Sequence, residues 1–80
     1  MKYNQFAKTL ICKCVNYETA LKVGLKLEST LESFKSTCGN VAELRIEGDT
    51  IYTVYCQDDN WEGFLTGVAW AVLNLKSIDK

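Results

Sequence analysis

Two segments of the chain carry apolar residues at the spacing of an α-helix. The first begins after Asn16, a residue type that caps helices, and ends before Gly39, a common C-terminal signal. Its apolar stripe consists of Ala20, Val23, Leu27, Leu31, Phe34 and Cys38. The second segment runs from Trp61 to Ser77, and its stripe consists of Trp61, Phe64, Leu65, Val68, Val72 and Leu75. We expect both stripes to face the core.

Apolar and polar residues alternate on both sides of Gly48 and Asp49, which is typical of a β-hairpin with a tight turn. If the turn has two residues, the register of the hairpin follows directly. The predicted pairs on the core side are Ile46 with Ile51, Leu44 with Thr53 and Ala42 with Tyr55. The other side of the hairpin then carries Glu43, Arg45, Glu47, Tyr52 and Val54.

Residues 8–15 are rich in Thr, Ile, Cys and Val and are interpreted as a β-strand. Alternation places Leu10, Cys12 and Cys14 on one face of this strand. A helix is the alternative, because apolar residues of the same region also fit a helical stripe. That stripe consists of Tyr3, Phe6, Ala7, Leu10, Ile11 and Cys14.

The order of elements is therefore β-α-β-β-α, and the predicted fold class is α+β. We expect a small antiparallel three-stranded sheet with both helices on one face, because the two helical stripes need a common apolar surface. With 80 residues, no proline and 48% hydrophobic residues, residues 1–80 are expected to form a single compact domain.

Charge and hydropathy narrow the function classes. The 9 Lys and Arg residues and 10 Asp and Glu residues leave a net charge of −1, so direct binding to nucleic acid is not expected. No apolar run reaches the roughly 20 residues that span a bilayer. Lys8 and Lys13 interrupt the N-terminal apolar segment, so it does not resemble a signal peptide. We expect a cytoplasmic protein with reduced thiols and no membrane partner.

The stretch from Asp58 to Gly63 contains D-x-N-x-E-G, the beginning of a calcium-binding loop. The twelfth position of such a loop supplies a bidentate Glu, but here it is Ala69. Trp61 also belongs to the helical stripe, which a calcium loop would interrupt. We therefore expect Asp58, Asp59 or Asn60 to cap the second helix instead.

The sequence also gives no support for zinc binding or for catalysis. The four cysteines do not have the spacing of a zinc site, and they are interpreted as buried or half-buried thiols. The sequence contains no histidine, which removes the most frequent general base and the commonest metal ligand. We expect no metal, no cofactor and no enzymatic activity.

Apolar residues on the outer sides of the elements are the strongest functional feature. Trp70 lies opposite the core stripe of the second helix, among the small or polar residues Gly63, Gly67 and Asn74. Tryptophan is enriched among residues that dominate binding energy. We expect Leu73 to extend this patch and Leu21, Leu25 and Tyr52 to add further binding surface. The alternative is that the chain covers each of these side chains locally.

Basic residues could serve a nucleic acid or an acidic partner, and the candidates for such contacts are Lys22, Lys26 and Arg45. Glu18, Glu28 and Glu32 interleave with the lysines of the first helix. A solvated helix surface is therefore the simpler interpretation.

The segments ETALKVGLKL and CGNVAELRIEGDTIYTVYCQDDNW resemble the helix and β-hairpin of small phage-encoded inhibitors of the anti-CRISPR kind. This resemblance covers about half of the chain. It implies a compact, non-enzymatic protein that binds a large nucleoprotein effector in the host cytoplasm and blocks its access to DNA.

The predicted function is therefore that of a small protein that binds another macromolecule, as an inhibitor or regulator of a larger host complex. The alternative is a homodimeric structural or regulatory domain that packs through its C-terminal helix.

Overall fold

The computed structural model describes residues 3–78, with side chains described from residue 3 to residue 74. It contains the predicted elements in the predicted order. These are β1 (Thr9–Lys13), α1 (Tyr17–Cys38), β2 (Ala42–Glu47), β3 (Thr50–Cys56) and α2 (Asp59–Ile78). The strand interpretation of the N-terminal segment is thereby confirmed.

The three strands form one antiparallel sheet in the order β1-β3-β2. Both helices contact the sheet and each other, so they share one face of it. Helix α1 lies mainly against β2, and α2 lies mainly against β1. The predicted α+β fold class is therefore confirmed.

Helix α1 has the bounds that its cap residues predict. The Asn16 side-chain oxygen accepts a hydrogen bond from the Thr19 backbone N–H at 2.8 Å, and Gly39 follows the last turn with a φ of 77°. Residues Ala20, Val23, Leu27 and Leu31 of the predicted stripe are buried. Cys38 is exposed, so its assignment to the core is wrong; as the last residue of α1, it lies where the chain turns away from the core.

Helix α2 begins with the predicted carboxylate cap. The Asp58 side chain accepts a hydrogen bond from the Trp61 backbone N–H at 3.2 Å. Among the described side chains of this helix, Leu65 and Ala69 are fully buried, whereas Trp61 is half-buried and Phe64 is 39% exposed. The core-facing side is therefore rotated by about 60° from a stripe centred on Trp61. The side chain of Leu75, also in the predicted stripe, lies outside the described side chains.

The hairpin register is as predicted near the turn and differs farther from it. Ile46 pairs with Ile51 and Leu44 pairs with Thr53, while Gly48 adopts a φ of 61° in the turn. A register shift between Glu43 and Leu44 then places Ala42 opposite Cys56. The predicted pairing of Ala42 with Tyr55 is wrong because this bulge adds one residue to β3.

A second register shift changes the face assignment of β1. Leu10 pairs with Tyr52 and Cys12 pairs with Ile51, which leaves Ile11 as the extra residue of a bulge. Ile11 and Cys14 are buried and Cys12 packs against the core, whereas Leu10 is 57% exposed. The prediction that Leu10 shares one face of β1 with Cys12 and Cys14 is wrong, since strict alternation fails at a bulge.

Candidate interaction surface on helix α2

Trp70 occupies the outer side of α2 and is 70% exposed. Apart from the neighbouring backbone of α2 itself, a Cβ atom added at Gly63 or at Gly67 would meet no described heavy atom within 4 Å, so the surface beside the indole is open. Asn74 donates a hydrogen bond from its side-chain amide to the Trp70 backbone oxygen at 3.0 Å. One of the two N–H groups of the Asn74 amide is therefore already hydrogen-bonded within α2.

Helical geometry orders these residues around α2. At about 100° per residue, Gly63, Asn74 and Gly67 lie within roughly 60° of Trp70, and Phe64 lies at roughly 120°. The two glycines therefore separate Trp70 from Phe64 on the helix surface. The result is a strip whose positions 63 and 67 carry no side chain, with an exposed aromatic residue on each side.

Beyond this strip, Phe34 of α1 packs against Trp61 and Phe64 of α2. The ring centroids lie 5.5 Å apart for Phe34 and Trp61, 5.7 Å for Phe34 and Phe64, and 5.6 Å for Trp61 and Phe64. All three pairs have edge-to-face geometry, which is a favourable arrangement of aromatic quadrupoles. We call these three residues the aromatic cluster.

The aromatic cluster borders an open cavity of about 320 Å³, and Asn60 completes the lining. Sequence reasoning missed this cavity because it assigned the aromatic residues to the core. The positions of the aromatic residues within the two helices could have revealed it. Phe34 lies near the end of α1, and Trp61 lies near the beginning of α2, so helices packed side by side in opposite directions bring these residues together.

The first turn of α2 and the residue before it carry three carboxylates. Besides Asp58, which caps the helix, these are Asp59 and Glu62. The Tyr3 hydroxyl donates a hydrogen bond to Glu62. Loss of hydration, followed by this hydrogen bond, raises the pKa of Tyr3, so its hydroxyl remains protonated and continues to donate. The carboxylates make this end of α2 acidic.

The other residues predicted for binding lie on separate elements. Leu73 is half-buried and packs against the core, so the prediction that it extends the outer patch is wrong; the rotation of α2 turns it inward. On α1, Leu21 is exposed and Leu25 is 71% exposed. Tyr52 is half-buried, and the Lys8 ammonium lies 4.4 Å from its ring centroid. Because the flanking residues Ile51 and Thr53 are fully buried, Tyr52 faces away from the helices.

The three basic residues that were candidates for contacts with a nucleic acid or an acidic partner lie on two different elements. Lys22 and Lys26 are exposed on α1, and Arg45 is exposed on β2, directly opposite Tyr52 of β3. The ion pair found among the described residues joins Lys8 to Glu47 at 2.7 Å. The structure therefore does not gather Lys22, Lys26 and Arg45 on one element.

The thiols have varied surroundings. All four cysteines are free, and the Cys12 and Cys14 sulfur atoms lie 3.9 Å apart. Burial, followed by the neighbouring Cys12, raises the pKa of Cys14 to about 11. Burial also raises the pKa of Cys56, whose thiol donates to the Asp58 backbone oxygen at 3.2 Å. Among the side chains described for residues 3–74, no three of His, Cys, Asp or Glu are grouped so that they could hold a metal ion.

Comparison with protein-family models, with curated proteins and with solved structures finds no match to this chain. The resemblance to anti-CRISPR inhibitors stays a prediction. Neither helix, over its described residues, is long and apolar enough to cross a membrane.

Proposed function

We propose that this chain is a small non-enzymatic binding protein whose outer α2 face docks against another macromolecule. The observation that supports this proposal is the 70% exposure of Trp70 beside Gly63 and Gly67, two positions at which the described residues leave the helix surface open. Tryptophan on an open helix face is a typical anchor of a protein interface.

The free energy available from this anchor is substantial. An exposed indole of this kind offers roughly 170 Å² for burial, which corresponds to about 4 kcal/mol at roughly 25 cal/mol per Å². The neighbouring glycines add little area themselves. They allow a partner surface to approach the helix backbone closely, so the indole and Phe64 can be buried by the same partner.

We propose further that the partner is a large complex, such as a nucleoprotein effector, and that binding inhibits or regulates it. The anti-CRISPR resemblance implies this class of partner. The exposed Lys22 and Lys26 would suit an acidic surface, but Glu18, Glu28 and Glu32 on the same helix reduce its net charge. Docking through Trp70 does not depend on these lysines.

A second candidate function is a homodimer that packs through α2. Gly63 and Gly67 favour it, because small residues beside Trp70 let two copies of the helix approach closely around a two-fold axis. Sedimentation equilibrium at micromolar concentration separates the two functions. A dimer that Trp70→Ala converts to a monomer supports the second candidate, whereas a wild-type monomer leaves this face free for a different partner.

Site-specific photo-crosslinking tests which face of the protein is used. A photoreactive phenylalanine analogue replaces Thr66, an exposed residue one turn from Trp70, and in a control protein it replaces Ser29 on the exposed side of α1. We expect partner or dimer adducts from position 66 and few from position 29. Equal yields at the two positions would argue against docking through α2.

A further inference from the structure

Cys12 and Cys14 form a pair of contacting thiols at the end of β1. Their sulfur atoms lie 3.9 Å apart, and both thiols are free. The Cys14 backbone N–H donates a hydrogen bond to the Asp49 backbone oxygen at 2.7 Å, which continues the antiparallel pairing of Lys13 with Thr50 beyond the strand. Alternate residues of an extended strand point to one face, and both thiols lie on the core side of the sheet.

The backbone at this pair suits a disulfide bond. Two strand residues separated by one residue have Cα atoms about 6.6 Å apart. This separation lies within the range of roughly 4.4 to 6.8 Å that disulfides usually span. An S–S bond is about 2.05 Å long, so the two sulfur atoms must approach each other by about 2 Å. Rotation of the two side chains about their Cα–Cβ bonds can supply this movement.

The two thiols differ in their access to solvent. Cys12 is half-buried on β1, an edge strand of the sheet, whereas Cys14 is 6% exposed. A reagent in solution therefore reaches Cys12 first. Burial raises the pKa of Cys14 to about 11, so this thiol is a poor nucleophile toward a solute at neutral pH. Attack by Cys14 on a neighbouring sulfur is intramolecular, and its high effective concentration offsets the small thiolate fraction.

We propose that Cys12 and Cys14 are a redox-sensitive dithiol, which a low-molecular-weight disulfide such as glutathione disulfide converts reversibly to an intramolecular disulfide. The Cys12 thiolate first attacks one sulfur of glutathione disulfide, whose S–S bond breaks and releases one glutathione. Cys14 then attacks the Cys12 sulfur, which forms the protein disulfide and releases the second glutathione. Both thiol protons end on the released glutathione molecules, and the two electrons lost by the protein reduce the glutathione disulfide.

This proposal does not rest on the function proposed for Trp70, because the thiol pair lies on a different element. The test incubates the reduced protein with glutathione disulfide, blocks the remaining thiols with N-ethylmaleimide and maps tryptic peptides by mass spectrometry. Trypsin cuts after Lys8, Lys13 and Lys22, so a Cys12–Cys14 disulfide joins peptides 9–13 and 14–22 of one chain.

Two other cysteines provide internal standards in the same sample. Cys38 is exposed and should carry glutathione, whereas Cys56 is 1% exposed and should stay reduced. At the concentration of glutathione disulfide that modifies Cys38, we expect the Cys12–Cys14 disulfide to exceed the glutathione adduct of Cys12 at least about tenfold. An excess of reduced glutathione should restore both thiols. Cys12 and Cys14 that both stay reduced, a lasting glutathione adduct on Cys12, or a disulfide that reduced glutathione does not open would overturn the proposal.

Substitutions separate the roles of the two thiols. Cys14→Ala removes the resolving thiol, so we expect the glutathione adduct of Cys12 to increase at least about tenfold over wild type. Cys12→Ala leaves the buried Cys14 alone, which should stay reduced. Cys38→Ala is the matched control and should form the Cys12–Cys14 disulfide like wild type. An unchanged yield of the Cys12 adduct in Cys14→Ala protein whose Cys56 stays reduced would overturn the proposal. If the variants unfold and expose Cys56, the wild-type experiment decides.

Discussion

The Cδ1 atom of Ile46 lies 2.6 Å from the position that a Cβ atom would occupy on Gly24. Helix α1 therefore packs against β2 at a distance that leaves no room for a methyl group unless Ile46 moves. Gly24 is buried in the middle of α1, where glycine costs about 1 kcal/mol relative to alanine. Close packing accounts for glycine at this position.

A double-mutant cycle tests this contact. Gly24→Ala gains helix propensity but displaces Ile46, whereas in an Ile46→Val background the Cδ1 atom is absent. We expect Gly24→Ala to be more favourable by about 1 kcal/mol in the Ile46→Val background, as measured by urea denaturation. Gly67→Ala, where a Cβ meets open space, should stabilise by roughly 0.5 to 1 kcal/mol in both backgrounds. Additive effects of Gly24→Ala and Ile46→Val would contradict the close contact.

The Thr53 hydroxyl is a polar group in the core. Its side chain is fully buried, and its oxygen has no hydrogen-bond partner within the part of the chain that the structure describes. Because Thr53→Val removes this hydroxyl while keeping the shape, we expect the free energy of unfolding to rise by about 1 kcal/mol. Thr50→Val is the control and should not stabilise, since the Thr50 hydroxyl donates to Asp49 at 2.9 Å. Destabilisation by Thr53→Val would instead indicate that the Thr53 hydroxyl is hydrogen-bonded in the folded protein.

Leu65 is the largest fully buried side chain among those described for α2. Leu65→Ala removes three buried carbon atoms and leaves a cavity, so we expect a loss of roughly 2 to 5 kcal/mol in the free energy of unfolding. The matched change on an exposed helix surface, Leu25→Ala, should cost less than about 0.5 kcal/mol. Chemical denaturation of both variants measures the difference. Similar losses would contradict the assignment of the core-facing side.

Stability should fall at alkaline pH because of Cys14. Burial is the main cause that raises the pKa of this thiol from 9.0 to about 11, so the folded state keeps the proton that the unfolded chain releases. The stabilising contribution is therefore complete below about pH 9 and is lost as the pH rises through about 11. We expect Cys14→Ala to have a smaller decrease in unfolding free energy between pH 8 and pH 11 than the wild type. An identical decrease would exclude Cys14 as a cause.

Local signals predicted the parts of the fold that depend on neighbouring residues. Asn16 and Gly39 mark the ends of α1, and Gly48 fixes the register of Ile46 with Ile51, because capping and turn formation act over a few residues. The bulges in β1 and β3 could not be predicted, since they depend on how three twisted strands fit beneath the helices. Alternation alone therefore misplaced Leu10.

The sequence also could not predict the rotation of α2 about its own axis, and this rotation decides which residues form the candidate site. Both flanks of this helix carry apolar residues, and the sequence cannot specify which of them α1 and the sheet cover best. The sequence predicts Trp70 outward because it lies about 180° from Trp61, the centre of the apolar stripe. Leu73 and Phe64 lie near the boundary, so a rotation of about 60° turned Leu73 inward and Phe64 outward. The aromatic cluster is a consequence of that rotation.

The proposed function requires that Trp70 anchors a macromolecular partner without contributing to the fold. The most direct measurement compares wild type, Trp70→Ala and Leu25→Ala as affinity baits in lysate of the native source cells, with bound proteins quantified by mass spectrometry and unfolding free energies measured alongside. We expect one partner, or the untagged chain itself, to be retained by wild type and Leu25→Ala and lost from Trp70→Ala, whose stability should change by less than about 0.5 kcal/mol. Equal retention by all three baits, or a loss of several kcal/mol in Trp70→Ala, would contradict the claim.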